Sequence, residues 1–469
     1  MSGRERGWSA VPVGRTWQVV AGSAAIGLAV AAGAVAAAGP WESGQRTAER
    51  AYAAARDHHG GRPAPGPAAP APGALPSARP AAPVLVPART SGSGAPAAAP
   101  ARQLDRMMST AGLGHVTTGA VVDVADGRLV YDHGGAVATT PASVTKLATA
   151  VAALELLGPD HQLTTTVVMT GPARVVLVGG GDPTLELPRL AADTAAALKA
   201  RKATRVTVGY DTSYFSGPLM HPIGVNENLA PVTALMVDEG RLDGSSAGPA
   251  QRAQDPAGSA AAEFAGLLAA HGITVKGSPR PARGSGGAVL AVHRSAALSD
   301  LVERMLTNSD NDLGEALARQ VARASGLPAS FSGGARAVSQ VLRHVGVPLP
   351  GASFHDGSGL DHRDRLAPVT LARLLALAAA PGHPELRPVL SGLPVAAFTG
   401  TLSDRYRGSA AAGLVHAKTG TLTGTNTIAG TTVTADGRVL AFAFMTQGAP
   451  DSGAAEAALD KLATALTAS

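Results

Sequence analysis

Pro141-Ala142-Ser143-Val144-Thr145-Lys146-Leu147 opens a stretch in which Leu147, Val151 and Leu154 recur at helical spacing, with proline where a first helical turn tolerates it. Residues i and i+3 share a helix face, so the Lys146 amine can reach the Ser143 hydroxyl and accept its proton. Taken alone, a Ser-x-x-Lys is more often a helix cap beside a solvated lysine. Two further motifs follow in the chain and change that reading: Ser309-Asp310-Asn311, after a helical stretch over 297–308, and Lys418-Thr419-Gly420 on an apolar strand. Only six of the 39 basic residues are lysines, and two of the six sit in these motifs.

Outward from the first motif, residues 115–124 and 127–131 form a predicted hairpin around Ala125-Asp126-Gly127. The middle of the chain, 163–285, mixes short strands at 174–178 and 205–208 with Ala-rich helices at 187–200 and 257–271. The last third predicts strands at 415–419, 427–433 and 439–445, then a helix to the C-terminus. Strands at both ends with helices between them imply an α+β layer fold. With aromatic residues at 3% and many Ala, Gly and Val, the expected core packs small aliphatic side chains at close approach.

The formal charge of +5 divides unevenly, with +6 on residues 1–104 and −1 on the rest. A near-neutral body argues against a nucleic-acid partner. There is no cysteine, which excludes disulfides, thiolate metal sites and a cysteine nucleophile. Residues 1–16 read as a basic cytoplasmic region. An uncharged run from Val19 to Ala38, within 17–39, reads as a transmembrane anchor or a cleaved signal peptide. Residues 40–103 are a linker, with 11 prolines between Pro63 and Pro100. The folded region is expected to begin at Leu104.

For the Ser143–Lys146 pair to work, the lysine must be neutral; burial and the nearby Lys418 cation would both lower its pKa from about 10.4. The Ser143 N–H can help hold a tetrahedral oxyanion, with a second N–H supplied, by position, by Thr421. Ser309 suits relay of a proton to a leaving amine, and Asn311 offers an amide to the substrate backbone. Lys418, Thr419 and Thr421 offer a cation and two hydroxyls to a terminal carboxylate. Strand alternation puts Lys418 and Thr419 on opposite faces, so one of them needs a local twist or an edge position to reach the site.

The three motifs in this order are those of serine β-lactamases and penicillin-binding proteins. The chain resembles, more narrowly, the D-alanyl-D-alanine carboxypeptidase/endopeptidase family of penicillin-binding proteins, the class C type with an insertion between the first two motifs. Further segments carry the likeness: 177–183 (Leu-Val-Gly-Gly-Gly-Asp-Pro), 237–239, 356–360 (Asp-Gly-Ser-Gly-Leu), 393–396 and 400–402. The resemblance implies a β-lactamase/transpeptidase-like domain, an antiparallel sheet flanked by helices, built from 104–162 and 286–469, with an accessory α/β domain inserted at 163–285. It implies acylation of Ser143 by peptidoglycan stem peptides and by β-lactam antibiotics; no cofactor is expected, and with no H-E-x-x-H and no spacing partner for His58-His59 no metal, while the 19–38 run points to work outside the cytoplasm. The 166 positions from Ser143 to Ser309 are fewer than in the family's fullest members, which implies a shortened insertion.

Two other readings stay open: a β-lactamase with faster deacylation, which the long insertion disfavours, and a non-catalytic peptidoglycan-binding protein, which the intact motifs disfavour. His416 reads as structural, Asp310 as a cap, and Gly244-Ser245-Ser246-Ala247-Gly248 as a loop, despite its Gly-x-Ser-x-Gly pattern. The 356–360 segment reads as a tight turn without a mechanistic role.

Overall fold

A computed structural model describes residues 98–468. The basic N-region, the apolar run at 17–39 and the linker as far as residue 97 lie outside them. Helix α1 (Ala98–Met108) starts inside the segment expected to be linker, and six residues before Leu104. The reason is packing: Leu104 and Met108 are buried against the C-terminal helix and the adjoining sheet.

Strands β1 (Val116–Asp123) and β2 (Leu129–His133) form the expected hairpin. A 3-10 turn at Ala142–Val144 feeds α2 (Thr145–Leu157), whose residues from Thr145 to Leu154 are all buried. A helix apolar on every side belongs in the middle of a fold. Next come β3 (Thr164–Gly171), β4 (Arg174–Val178), β5 (Asp182–Leu185), α3 (Leu187–Ala200), β6 (Arg205–Asp211), β7 (Leu235–Val237), α4 (Pro256–Ala270), β8 (Thr274–Val275), β9 (Arg280–Pro281) and β10 (Ala288–Arg294). The chain then runs through α5 (Leu298–Asn308), α6 (Asn311–Ala324), α7 (Phe331–His344), α8 (Pro368–Ala379) and the short α9 (Arg387–Ser391). It ends with β11 (His416–Leu422), β12 (Thr425–Val433), β13 (Val439–Gln447) and α10 (Ser452–Thr467).

The first sheet is antiparallel throughout, in the order β11-β12-β13-β1-β2, so β11 is an edge. It is buried on both faces. Alternate residues of β13 show how: Phe442 and Phe444 join Leu104, Met108, Leu459 and Leu462 on one side, while Ala441, Ala443 and Met445 meet α2 and α5 to α9 on the other. Alanines on the second face let the helix layer approach closely, as the composition suggested.

The second sheet has the order β10-β3-β4-β6-β8, with β9 also beside β6. Its β10–β3 and β3–β4 pairs are antiparallel; those of β6 with β4, β8 and β9 are parallel. Helices α3 and α4 bury Leu190, Leu198, Phe264 and Leu268 against it. Strands β3 to β9 fall within 163–285, the segment expected as an insertion, while β10 pairs with β3 through Arg294, nine residues past 285. No helix among the described residues is long and apolar enough to cross a membrane.

Candidate active site

Ala142 sits at φ 53°, in the left-handed region that alanine rarely adopts. That turn sets Ser143 at the start of α2, partly exposed, while Lys146 one turn later is fully buried. Gly420 on β11 lies against the same turn. A Cβ there would stand 2.9 Å from the Pro141 carbonyl oxygen and 3.0 Å from the Ser143 nitrogen, besides striking Thr427 Oγ1. Only glycine lets the strand come this close.

Lys146 Nζ has three partners: Ser143 Oγ at 3.0 Å, Asn311 Oδ1 at 2.6 Å and the Ser358 carbonyl oxygen at 2.7 Å. The last two can only accept, so they take two N–H groups. The third position on the nitrogen, a proton in the cation and a lone pair in the neutral amine, faces Ser143 Oγ. Burial lowers the Lys146 pKa to about 8, against the opposing pull of Asp356, Asp310, Glu315 and Asp312. The expected influence of Lys418 runs the other way: burial, then the charge of Lys146, holds Lys418 well below the usual lysine range. Of two buried amines in one site, the one facing carboxylates keeps its proton to higher pH.

The second motif is built at a helix junction. Ser309 ends α5 in a left-handed conformation (φ 58°), and Asp310 caps α6 by accepting the Leu313 N–H at 2.9 Å. Asn311 therefore starts α6, where its Nδ2 donates to the Asn228 carbonyl at 2.9 Å while its oxygen faces Lys146. Ser309 Oγ accepts from Lys418 Nζ at 2.8 Å. The three motifs are thus joined side chain to side chain.

The edge position of β11 answers the alternation problem. Segment 394–396 pairs with its first residues, the Ala417 N–H reaching the Pro394 carbonyl at 2.9 Å. Farther along, Thr419 and Thr421 line an open cleft of about 360 Å³, shared with Ser143, Ser309, Asn311 and Thr401. Lys418 passes underneath. Thr419 Oγ1 lies 2.8 Å from Thr401 Oγ1, whereas the Thr421 hydroxyl donates to Glu456 at 2.9 Å. All seven expected residues come together, but the Thr421 hydroxyl is turned toward α10.

Several contributors were not singled out from the sequence. Ser358 and Asn228 act through backbone carbonyls, which leave no mark on a sequence; the only signal was the 356–360 segment. Thr401 lies in the 400–402 segment, whose sequence alone points to no role. Ala247, Gly248 and Pro249 also line the cleft, so the 244–248 stretch is a loop as expected, and a wall of the site. His416 contacts the Gly413 carbonyl at 3.4 Å and does not line the cleft. Two buried clusters, His221/Glu315/Asp356 and Glu239/Asp310/Asp312, bring potential ligand atoms within 4.8 Å of one another. Backbone N–H groups of 357–361 meet carboxylate oxygens of the first; in the second, Arg241, Arg252 and Arg304 meet Glu239 and Asp312, while Asp310 Oδ2 has no hydrogen-bond donor among the described residues.

A family model for D-Ala-D-Ala carboxypeptidase 3 (S13) matches residues 101–251 and 242–466. Carboxypeptidase DacB of Mycolicibacterium smegmatis is 37% identical over 428 residues, covering 86% of this chain and 89% of that protein. A D-alanyl-D-alanine carboxypeptidase of Actinomadura sp. is 28% identical over 445 residues, covering 76% and 82%. Penicillin binding protein 4 from Haemophilus influenzae has the same fold, with a TM-score of 0.67 at 22% identity, over 79% of this chain and 99% of that one.

Proposed function

Because the chain belongs to the D-Ala-D-Ala carboxypeptidase 3 (S13) family, we propose that Ser143 is its nucleophile and Lys146 the base that activates it. The protein is a serine D-Ala-D-Ala carboxypeptidase of the penicillin-binding class. The observation that carries the residue assignment is the position on Lys146 Nζ left facing Ser143 Oγ once Asn311 and Ser358 are served.

In this reading Ser143 Oγ attacks the carbonyl carbon of the penultimate D-alanine of a peptidoglycan stem peptide, and its proton passes to Lys146. The negative charge on the carbonyl oxygen meets the N–H groups of Ser143 and Thr421. As the C–N bond breaks, the leaving amine takes up, by way of Ser309, the proton that Lys146 received from Ser143, which returns Lys146 to its neutral form; Lys418 holds Ser309 for this relay. Water then hydrolyses the ester with Lys146 again as base. Asn311 bonds the substrate backbone. The terminal carboxylate is held by the Thr419 hydroxyl, which the Thr401 contact supports, near the Lys418 amine; the Thr421 hydroxyl is the weaker candidate, being engaged by Glu456. β-Lactams acylate Ser143 by the same attack. Peptidoglycan lies outside the cytoplasmic membrane, so we place the enzyme there, tethered or exported through the run at 17–39.

Intact-mass measurement after incubation with benzylpenicillin tests this. A single adduct on the wild type and none on Ser143→Ala is the expected result; an adduct on both would remove Ser143 from its role. No wild-type adduct together with consumed drug would turn the reading toward a β-lactamase.

A further inference from the structure

Beside Lys146 lies a buried polar cluster that the reaction just described does not use. Turn 356–361 carries the Ser358 carbonyl to Lys146 Nζ, and carboxylates pin its backbone. Glu315, fully buried on α6, accepts the Gly357 and Ser358 N–H groups at 3.1 and 2.9 Å. Asp356 accepts those of Gly359 and Asp361, each at 2.7 Å. Asp356 also meets His221 Nε2 at 3.0 Å, and His221, only 3% exposed, comes from the inserted segment between β6 and β7. The His221 Nδ1 accepts the Ile223 N–H at 3.3 Å, which leaves the ring proton on Nε2, aimed at Asp356. Phe331 packs edge-on against the ring at 5.3 Å.

Asn311 and Glu315 are four residues apart on α6, so one helix face controls both acceptors of the Lys146 N–H groups. Asn311 does so directly; Glu315 does so through the Ser358 carbonyl. We propose that Glu315 and His221 are positioning residues of the acylation step, fixing the Ser358 carbonyl and setting the charge that faces Lys146, so that the insertion reaches the base of the reaction. This rests on the assignment of Lys146 as that base.

The charged groups facing Lys146 are Asp356 on the turn, Glu315 and Asp312 on α6, Asp310 at its cap, and Lys418 on β11. Burial, then the charge of Asp356, pushes Asp364 up to about 10, so Asp364 holds a proton. Burial opposes ionisation of Asp356, yet its bonds from His221 and Asp364 outweigh it and keep that carboxyl below the ordinary range. Burial also disfavours the His221 cation, and Asp356 more than offsets this. Burial, with Asp356, pushes Glu315 up to about 7.

The test is the pH dependence of the rate constant for acylation by benzylpenicillin, in wild type, Glu315→Gln and His221→Gln, with thermal melts to establish folding. Removing the Glu315 anion destabilises protonated Lys146, so the acidic limb should move down by about one pH unit. Removing the imidazole N–H that His221 Nε2 gives to Asp356 leaves the Asp356 anion less compensated, which favours protonated Lys146 and should move the limb up, by about half a unit. Folded variants whose limbs coincide with wild type, or move the same way, overturn the proposal, even if they are slower. Wild type that forms no adduct at any pH overturns the Lys146 assignment with it; adducts with unmoved limbs overturn only this inference. Should a substitution unfold the chain, nitrogen-15 labelling of the wild-type histidine rings reads the same coupling: His221 should show an inflection at the pH of the limb, and a flat response across it overturns the proposal.

Discussion

Lys146 must be neutral to take a proton from Ser143, and its pKa near 8 lies low because the side chain is fully buried. The sign follows directly. Below that value the amine is protonated and cannot act as base; above it the base form dominates. Acylation by benzylpenicillin is therefore expected to rise with pH to a plateau above about 8, and a rate flat from about pH 6 to about pH 9 would contradict the assignment. Spacing made this pair legible in the sequence, and burial of the lysine was expected. The direction of the Lys146–Lys418 influence was not legible, because it depends on which amine faces Asp356 and Glu315, residues 210 and 169 positions from Lys146 in the chain. The Ser358 and Asn228 carbonyls were hidden for a related reason: any residue type offers a carbonyl.

At the scale of elements, the site is an edge strand set against the first turn of a helix. Gly420→Ala should be the sharpest probe of that contact, since the added Cβ meets the Pro141 carbonyl and the Ser143 nitrogen. A displacement of even 1 Å at the nucleophile can cost on the order of a hundredfold, so the acylation rate is expected to fall by about that factor in a folded protein; a loss under about threefold would mean the strand yields. Elements with strong periodicity were legible, helix α3 to the residue and the β1–β2 hairpin nearly so. Strand β10 was not. Only Ala291 of its seven residues is buried, as befits a strand on the rim of its sheet, and such a strand shows no clean apolar alternation.

In the molecule as a whole, among the described residues, α1 is part of the fold through Leu104 and Met108. Removing residues 1–97 should leave adduct formation unchanged. Removing residues 1–114 takes away Leu104 and Met108, whose burial contributes about 3 to 6 kcal/mol together, so the shorter chain should melt at a clearly lower temperature; equal melting curves would show that α1 only rests on the surface. The inserted layer is tied in more deeply. From it the Asn228 carbonyl holds Asn311, the Ala230 N–H and Arg252 hold Asp312 at 3.0 Å each, and Gly180 accepts from Gln320 at 2.7 Å. All three recipients sit on α6, the helix that carries the second motif. The 228–252 stretch is thus no passenger: whatever loosens it loosens the first turn of α6, and with it Asn311, from 59 to 83 positions away in sequence.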